Sequence, residues 1–103
     1  MNEISALELL AFYRNVSIID VRELDEYVSG HIPGAIHIPL STIPVRQNEI
    51  DKTKTQYLIC EVGGRSGQAG KFLEDQGFAV VNVAGGTGAL RQIGTPLNLG
   101  EQP

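Results

Sequence analysis

The sequence predicts an α/β protein with a mostly parallel sheet that is covered by helices on both faces. Three short, nearly continuous apolar runs carry this prediction, at residues 17–21, 56–60 and 79–83, because strands buried on both faces read in this way. A shorter candidate strand spans residues 35–38. Helical patterns alternate with these runs, which requires crossover connections and hence parallel pairing. We expect four to five strands in one domain over residues 1–103, a length with no room for two independent cores.

The segments between the strands carry helix signals. The predicted helices begin with a capping box at Ser5 and Glu8 and continue at residues 23–29, 42–50, 66–76 and 87–93. In the clearest one, Ala69, Phe72 and Leu73 share a face, and Gly77 supplies the left-handed residue that ends it. Residues 94–103, which contain two prolines and two glycines, are expected to form a loose tail.

Composition excludes several classes of function. The net charge is −4 and the eight basic residues are scattered, whereas nucleic-acid binding needs a concentrated positive surface. No apolar run approaches the roughly 20 residues of a membrane span, and the N-terminal residues lack the pattern of a secretory signal. One cysteine and two histidines fall short of the four ligands of a structural zinc site. We therefore expect a cytoplasmic protein without a metal, a nucleic-acid partner or a membrane partner.

The chemistry is predicted to lie at Cys60, the last residue of a central strand. The cysteine is followed by a loop and then by the clearest helix; the loop residues are Glu61, Val62, Gly63, Gly64, Arg65 and Ser66. Ligands of α/β sheets gather at the carboxyl ends of strands. Two glycines allow the loop to curl with its N–H groups inward, and the helix dipole adds to this field, so a thiolate at its centre is favoured. The alternative is a small buried hydrophobic residue before an ordinary turn; the combined pattern favours the functional interpretation.

Residues 60–66 resemble the active-site loop of the rhodanese family of sulfurtransferases. Residues 20–27, the stretch from Gly30 to Pro39 and the pair Gly85-Gly86 resemble other signatures of that family, in its order, and the likeness spans residues 3–94. The resemblance implies a three-layer α/β/α sandwich and an enzyme without a metal or organic cofactor. It also implies that Cys60 takes up sulfane sulfur, that the amides of the loop hold the persulfide, and that Arg65 stabilises the loop or binds an anionic donor.

The implied reaction needs partners. Cys60 would accept sulfur from thiosulfate, a polysulfide or a protein persulfide and pass it to a thiol or another nucleophile. Because there is no second cysteine, the chain cannot resolve its own persulfide, and a partner must accept the sulfur: a small thiol, a thioredoxin-like protein or a sulfur-accepting enzyme. Glu61 places a negative charge beside the nucleophile, so we expect thiosulfate to be used poorly and the substitution Glu61→Lys to improve its use.

Two other functions remain open at this point. Cys-dependent phosphatases and arsenate reductases place five residues between the cysteine and the arginine, whereas Cys60 and Arg65 bracket four, a ring that should suit one added sulfur atom and crowd a phosphate. A non-catalytic rhodanese-like binding module is the second alternative, although Cys60 and Arg65 are both present.

Four other polar residues are candidates that we assign to structure. Asp20 is expected to cap a helix and Arg22 to pair with Glu26 one turn on. His31 and His37 could act as a base for Cys60, but a thiol that is already ionised by its loop needs none.

Overall fold

Five parallel strands form one sheet in the computed structural model, which describes residues 1–103. The strands are β1 (Asn2–Ser5), β2 (Ser17–Asp20), β3 (Ile36–His37), β4 (Gln56–Ile59) and β5 (Val80–Ala84). Their order across the sheet is β1-β5-β4-β2-β3, and every neighbouring pair is parallel. The predicted parallel sheet of four to five strands is therefore confirmed.

The helices occupy the connections between the strands. They are α1 (Ala6–Leu9), α2 (Leu24–Val28), α3 (Ile43–Arg46), α4 (Gly64–Asp75) and α5 (Gly86–Gln92), with 3-10 turns at Tyr13–Asn15, Leu40–Thr42 and Gln47–Glu49. The capping box at Ser5 and Glu8 is present, with hydrogen bonds of 2.9 and 3.0 Å. The predicted helix 42–50 is reduced to one α-helical turn between 3-10 turns. Helix α4 begins two residues earlier than predicted, because Gly63 with φ +116° takes the position before it.

Both faces of the sheet are buried, as the three-layer prediction requires. Consecutive residues of a strand point to opposite faces. Accordingly, Ile19 and Leu58 join one apolar cluster, with Ala69 and Leu73 of α4, and Ile18 and Ile59 join the other. Ala6 and Leu9 of α1 and Leu90 of α5 complete the second cluster. Cys60 belongs to the first cluster, so the candidate nucleophile lies at the edge of a packed core.

Strand β1 was not predicted from the sequence. Asn2–Ser5 pairs with β5, from Asn2 opposite Val81 to Ser5 opposite Ala84. The segment lies at the edge of the sheet and is exposed or half-buried. A single exposed edge strand lacks the apolar run that marks the central strands, because only one side of it pairs and little of it is covered.

The expectation of a loose tail after residue 94 is wrong. The backbones of Asn98 and His31 exchange two hydrogen bonds, of 2.9 and 3.0 Å, and the N–H of Gly100 donates to the carbonyl of Val28 at 2.9 Å. Leu97 packs against the second apolar cluster. These contacts join residues that are far apart in sequence, so local composition could not predict them. No helix of the structure combines the length and the hydropathy that crossing a membrane requires.

Candidate functional site

The loop after β4 brings Cys60 to the carboxyl edge of the sheet, between the ends of β2 and β5. Cys60 directly follows the last residue of β4, and α4 begins at Gly64, so only three residues separate the cysteine from the helix. Gly63 adopts φ +116°, a backbone conformation that residues with a Cβ atom rarely adopt. This glycine turns the chain sharply enough to aim the start of α4 back at the cysteine.

Backbone amides and one hydroxyl surround the sulfur of Cys60. The N–H of Gly63 lies 3.1 Å from Sγ, the N–H of Ser66 lies 3.3 Å from it, and the hydroxyl of Ser66 is also 3.3 Å away. The amide of Val62 contributes in the same direction. Of the six loop amides that the sequence placed around the sulfur, those of Glu61, Gly64 and Arg65 are not among these donors. The cradle is therefore smaller than expected, but it is present.

The environment favours the thiolate of Cys60. Only 1% of the residue is exposed, and burial by itself raises the pKa of its thiol. Hydrogen bonds from the side chain and N–H of Ser66 and from the amides of Gly63 and Val62 outweigh burial, so the pKa of the thiol is lower than that of an ordinary cysteine.

The carbonyl groups of the same loop are held by the start of α5. Thr87 N–H donates to the carbonyl of Cys60 at 2.9 Å, and Gly88 N–H donates to that of Glu61 at 2.9 Å. Gly85 N–H donates to the carbonyl of Val62 at 3.2 Å. The N–H groups of Thr87 and Gly88, which have no partner within α5, are thus satisfied by the loop. With its carbonyl groups fixed against α5, the loop keeps amides free to point at the sulfur.

Arg65 does not point freely into solvent at the rim of the site. Its guanidinium makes two parallel hydrogen bonds to the carboxylate of Glu26 in α2, at 2.7 and 2.8 Å. These hydrogen bonds lower the pKa of Glu26 to about 2. Of the two sequence-based roles for Arg65, this geometry provides directly for stabilisation of the loop.

Glu61 forms a bridge between two arginines instead of presenting a free charge. Its carboxylate accepts from Arg22 Nη1 at 3.2 Å and from Arg91 of α5. Arg22 is fully buried and also donates to both carboxylate oxygens of Asp20 and to the carbonyl of Gly30. The expected pairing of Arg22 with Glu26 is wrong, and Asp20 does not cap α2: Glu23 occupies that position.

Comparison with known proteins shows which family the chain belongs to. The model of the rhodanese-like domain matches residues 5–92. The chain belongs to the rhodanese-like domain family. A sulfurtransferase of Allochromatium vinosum is 37% identical over 101 residues, with 94% of each chain covered. The crystal structure of a rhodanese-related protein from Thermoplasma volcanium superposes with a TM-score of 0.91 at 31% identity, covering 97% of this chain and 100% of the other.

One relative is considerably longer than this rhodanese-like domain. A putative sulfur carrier protein of Bacillus subtilis is 44% identical over 73 residues. The match covers 70% of this chain but only 40% of that protein. The likeness therefore extends to the shared domain and not to the whole of the longer relative.

The two histidines of this rhodanese-like domain are engaged elsewhere. Both ring nitrogens of buried His31 face backbone carbonyls, those of Tyr27 and Gln102, at 2.8 and 2.9 Å. Nε2 of His37 lies 2.7 Å from the carbonyl of Arg22. Neither is a hydrogen-bond partner of Cys60, in agreement with the structural roles assigned from the sequence.

Sequence reasoning missed one residue of the site, Asn82. This residue lies in the middle of β5, is almost fully buried, and bonds to Ser66, Gly63 and Glu3. The available signal was the single amide side chain within the apolar run 79–83, since a polar group buried in a sheet needs partners.

A groove of about 500 Å³ opens beside Arg65. Most of its apolar lining belongs to the first core cluster or packs against it; the apolar lining residues are Val21, Leu40, Ile43, Pro44, Ala69 and Phe72. Glu23, Ser41 and Gln68 add polar groups. Its volume lies within the range of small-molecule sites.

Proposed function

We propose that this rhodanese-like domain is a sulfurtransferase in which Cys60 carries sulfur as a persulfide. The observation that carries the proposal is the set of donors around one buried sulfur atom, with the amides of Gly63 and Ser66 at 3.1 and 3.3 Å from Sγ. Donors fixed at these distances stabilise a negative charge on sulfur, whether it is a thiolate or the anion of a persulfide.

The reaction has two displacement steps. In the first, the thiolate of Cys60 attacks the sulfane sulfur of the donor; a sulfur–sulfur bond forms, the donor's bond to that sulfur breaks, and its remainder leaves with the electron pair. In the second, an acceptor thiolate attacks the outer sulfur and the thiolate of Cys60 is released. Neither step needs an external oxidant or reductant.

The residues of the loop have separate roles in this proposal. The amides of Val62, Gly63 and Ser66 form the cradle around the sulfur. Gly63 allows the turn with its positive φ, and Gly64 begins α4. Arg65 joins the loop to α2, and Glu61 is held between Arg22 and Arg91.

The burial of Cys60 bears on the choice of substrate. A residue that is 1% exposed favours a donor that presents one narrow terminal sulfur atom over a tetrahedral phosphate. Thiosulfate, a polysulfide and a protein persulfide all meet this requirement. A small thiol or a thioredoxin-like protein would be the acceptor, and the cytoplasm, where thiols are kept reduced, is the proposed compartment.

The test is the intact mass of the protein after incubation with thiosulfate or a polysulfide. We expect a gain of one sulfur atom that is removed by cyanide and is absent in Cys60→Ser. No gain with either donor would support a non-catalytic binding module. Turnover of an aryl phosphate that is lost in Cys60→Ser would support a phosphatase.

A further inference from the structure

The hydroxyl of Ser66 has one proton and three neighbouring acceptors. Its Oγ lies 2.6 Å from Oδ1 of Asn82, 3.3 Å from the carbonyl of Gly63 and 3.3 Å from Sγ of Cys60. A hydroxyl can donate to only one of these at a time. When Cys60 is a neutral thiol, the hydroxyl donates its hydrogen bond along the shortest of these contacts, to Oδ1 of Asn82.

The orientation of Asn82 follows from its other neighbours. Its amide nitrogen lies 2.9 Å from a carboxylate oxygen of Glu3 and 3.1 Å from the carbonyl of Gly63. Both of these groups only accept hydrogen bonds, so they require the NH₂ group on that side. The oxygen of Asn82 therefore faces Ser66, and because it carries no proton, Ser66 must be the donor.

This arrangement has opposite effects on the two forms of Cys60. While its O–H group points at Asn82, Ser66 presents a lone pair to the sulfur. That lone pair accepts a hydrogen bond from an S–H group but repels a thiolate. A thiolate is stabilised by Ser66 only after the hydroxyl turns away from Asn82 and donates to sulfur. Asn82 and the sulfur of Cys60 thus compete for the same O–H donor.

We propose that Asn82 is a positioning residue that controls the hydroxyl of Ser66 and thereby sets how readily Cys60 ionises. Asn82 makes no hydrogen bond to the sulfur, and its effect on Cys60 is transmitted by the hydroxyl of Ser66. The proposal rests on the proposed function only in naming Cys60 as the reacting group. When Cys60 loses its proton to solvent, the hydroxyl of Ser66 rotates and donates its hydrogen bond to the sulfur instead of to Asn82. The O–H bond itself stays intact.

Apart from Glu3, the charged groups of the surrounding elements are paired with one another and do not depend on Asn82. Arg65 pairs with Glu26 of α2, Arg22 pairs with Asp20 and Glu61, and Arg91 of α5 also pairs with Glu61. Glu3 of β1 contacts the nitrogen of Asn82 and is at the exposed edge of the sheet. The carbonyl of Gly63 keeps a second donor, Gly67 N–H at 3.1 Å, when Asn82 is replaced.

The test is the pKa of Cys60, followed by the ultraviolet absorbance of the thiolate as a function of pH and corrected with Cys60→Ser. Removing the competitor in Asn82→Leu should lower this pKa by about half a unit to one unit, the size that one hydrogen bond contributes. Ser66→Ala should raise it, because the donor is lost. The double variant should match Ser66→Ala, since Asn82 acts only through that hydroxyl.

Gln56→Leu is the matched control, because Gln56 is a buried amide at the opposite end of the neighbouring strand β4. It should leave the pKa of Cys60 unchanged. A merely structural role of Asn82 predicts the opposite sign, since a loosened loop stabilises the thiolate less and raises the pKa. Should Asn82→Leu fail to fold, as judged by its thermal unfolding, Asn82→Ala takes its place.

Two results would overturn the inference: an unchanged or raised pKa in the Asn82 variant, or an equal shift in the presence and absence of the Ser66 hydroxyl. The absorbance needs no sulfur donor, whereas the proposed function is tested by the gain of a sulfur atom. Failure of one is therefore distinguishable from failure of the other.

Discussion

Arg65 and Glu26 form a bidentate ion pair, with Nη1 2.7 Å from one carboxylate oxygen and Nη2 2.8 Å from the other. Arg65 lies in the first turn of α4 and Glu26 in α2, so the pair joins the loop of Cys60 to the connection after β2. Two parallel hydrogen bonds fix the orientation of both groups as well as their distance. The pair thus restrains the rim of the cradle from outside.

Glu26→Gln should make the fold less stable at neutral pH but not in strong acid. The ion pair lowers the pKa of Glu26 to about 2 from its ordinary 4.5. A carboxylate whose pKa is lowered by folding stabilises the fold at pH values above its pKa in the unfolded chain. This contribution is lost as the pH falls from about 4.5 to about 2. Side-chain exposures of 30% and 37% screen the pair, so we expect a difference of about 1 kcal/mol at pH 7.

Urea unfolding of both proteins between pH 7 and pH 2 measures this difference. Glu49→Gln is the control, since Glu49 pairs with Arg46 at a more exposed position and its pKa is also lowered. At neutral pH its effect should be smaller than that of Glu26→Gln. A constant gap between wild type and Glu26→Gln across the whole range would show that charge pairing is not the source of the effect.

Glu61→Gln should strengthen the binding of thiosulfate. Glu61 and Asp20 together balance the charges of Arg22 and Arg91, so neutralising Glu61 leaves one net positive charge beside the cradle, which favours a dianion. The Michaelis constant for thiosulfate should fall about three- to tenfold in low salt, and less at high salt because of screening. Glutamine retains an oxygen that can accept from Arg22.

Glu74→Gln changes the net charge equally at the far end of α4 and should leave that constant unaltered. The substitution Glu61→Lys, which the sequence alone suggested, is unsuitable because it places a third cation against Arg22 and Arg91. Equal constants for wild type and Glu61→Gln would mean that the bridge already cancels the influence of Glu61 on anions.

The central part of the fold and of the site could be predicted because its signals are local. The apolar runs that contain Ile19, Leu58 and Val81 reveal strands without knowledge of their neighbours, since both faces of each strand are buried. Cys60 and the glycines after it reveal the loop in the same way, because the turn, the strand end and the helix start are contiguous in sequence.

What could not be predicted depends on contacts between distant residues. Glu61 appears in the sequence as a free charge, and only the fold brings Arg22 and Arg91 to it, across 39 and 30 positions. Asn82 is separated from Ser66 by 16 positions. Such pairings depend on the order of the strands in the sheet. The apolar runs predict the strands themselves but not which strands lie next to each other.

Gly86→Ala should disrupt the loop that holds Cys60. A Cβ at Gly86 would lie 2.3 Å from the carbonyl oxygen of Cys60 and 2.7 Å from that of Glu61, both backbone atoms that cannot turn aside, and φ is +58°. We expect a loss of more than about 2 kcal/mol in the free energy of unfolding and a raised pKa of Cys60. Gly94→Ala separates clash from backbone strain, because Gly94 has φ +73° and open space around it, and should lose about 1 kcal/mol with no change at the thiol. Equal losses in urea unfolding of the two variants would mean that the loop absorbs the clash, and that the start of α5 does not fix the carbonyl groups of the cradle.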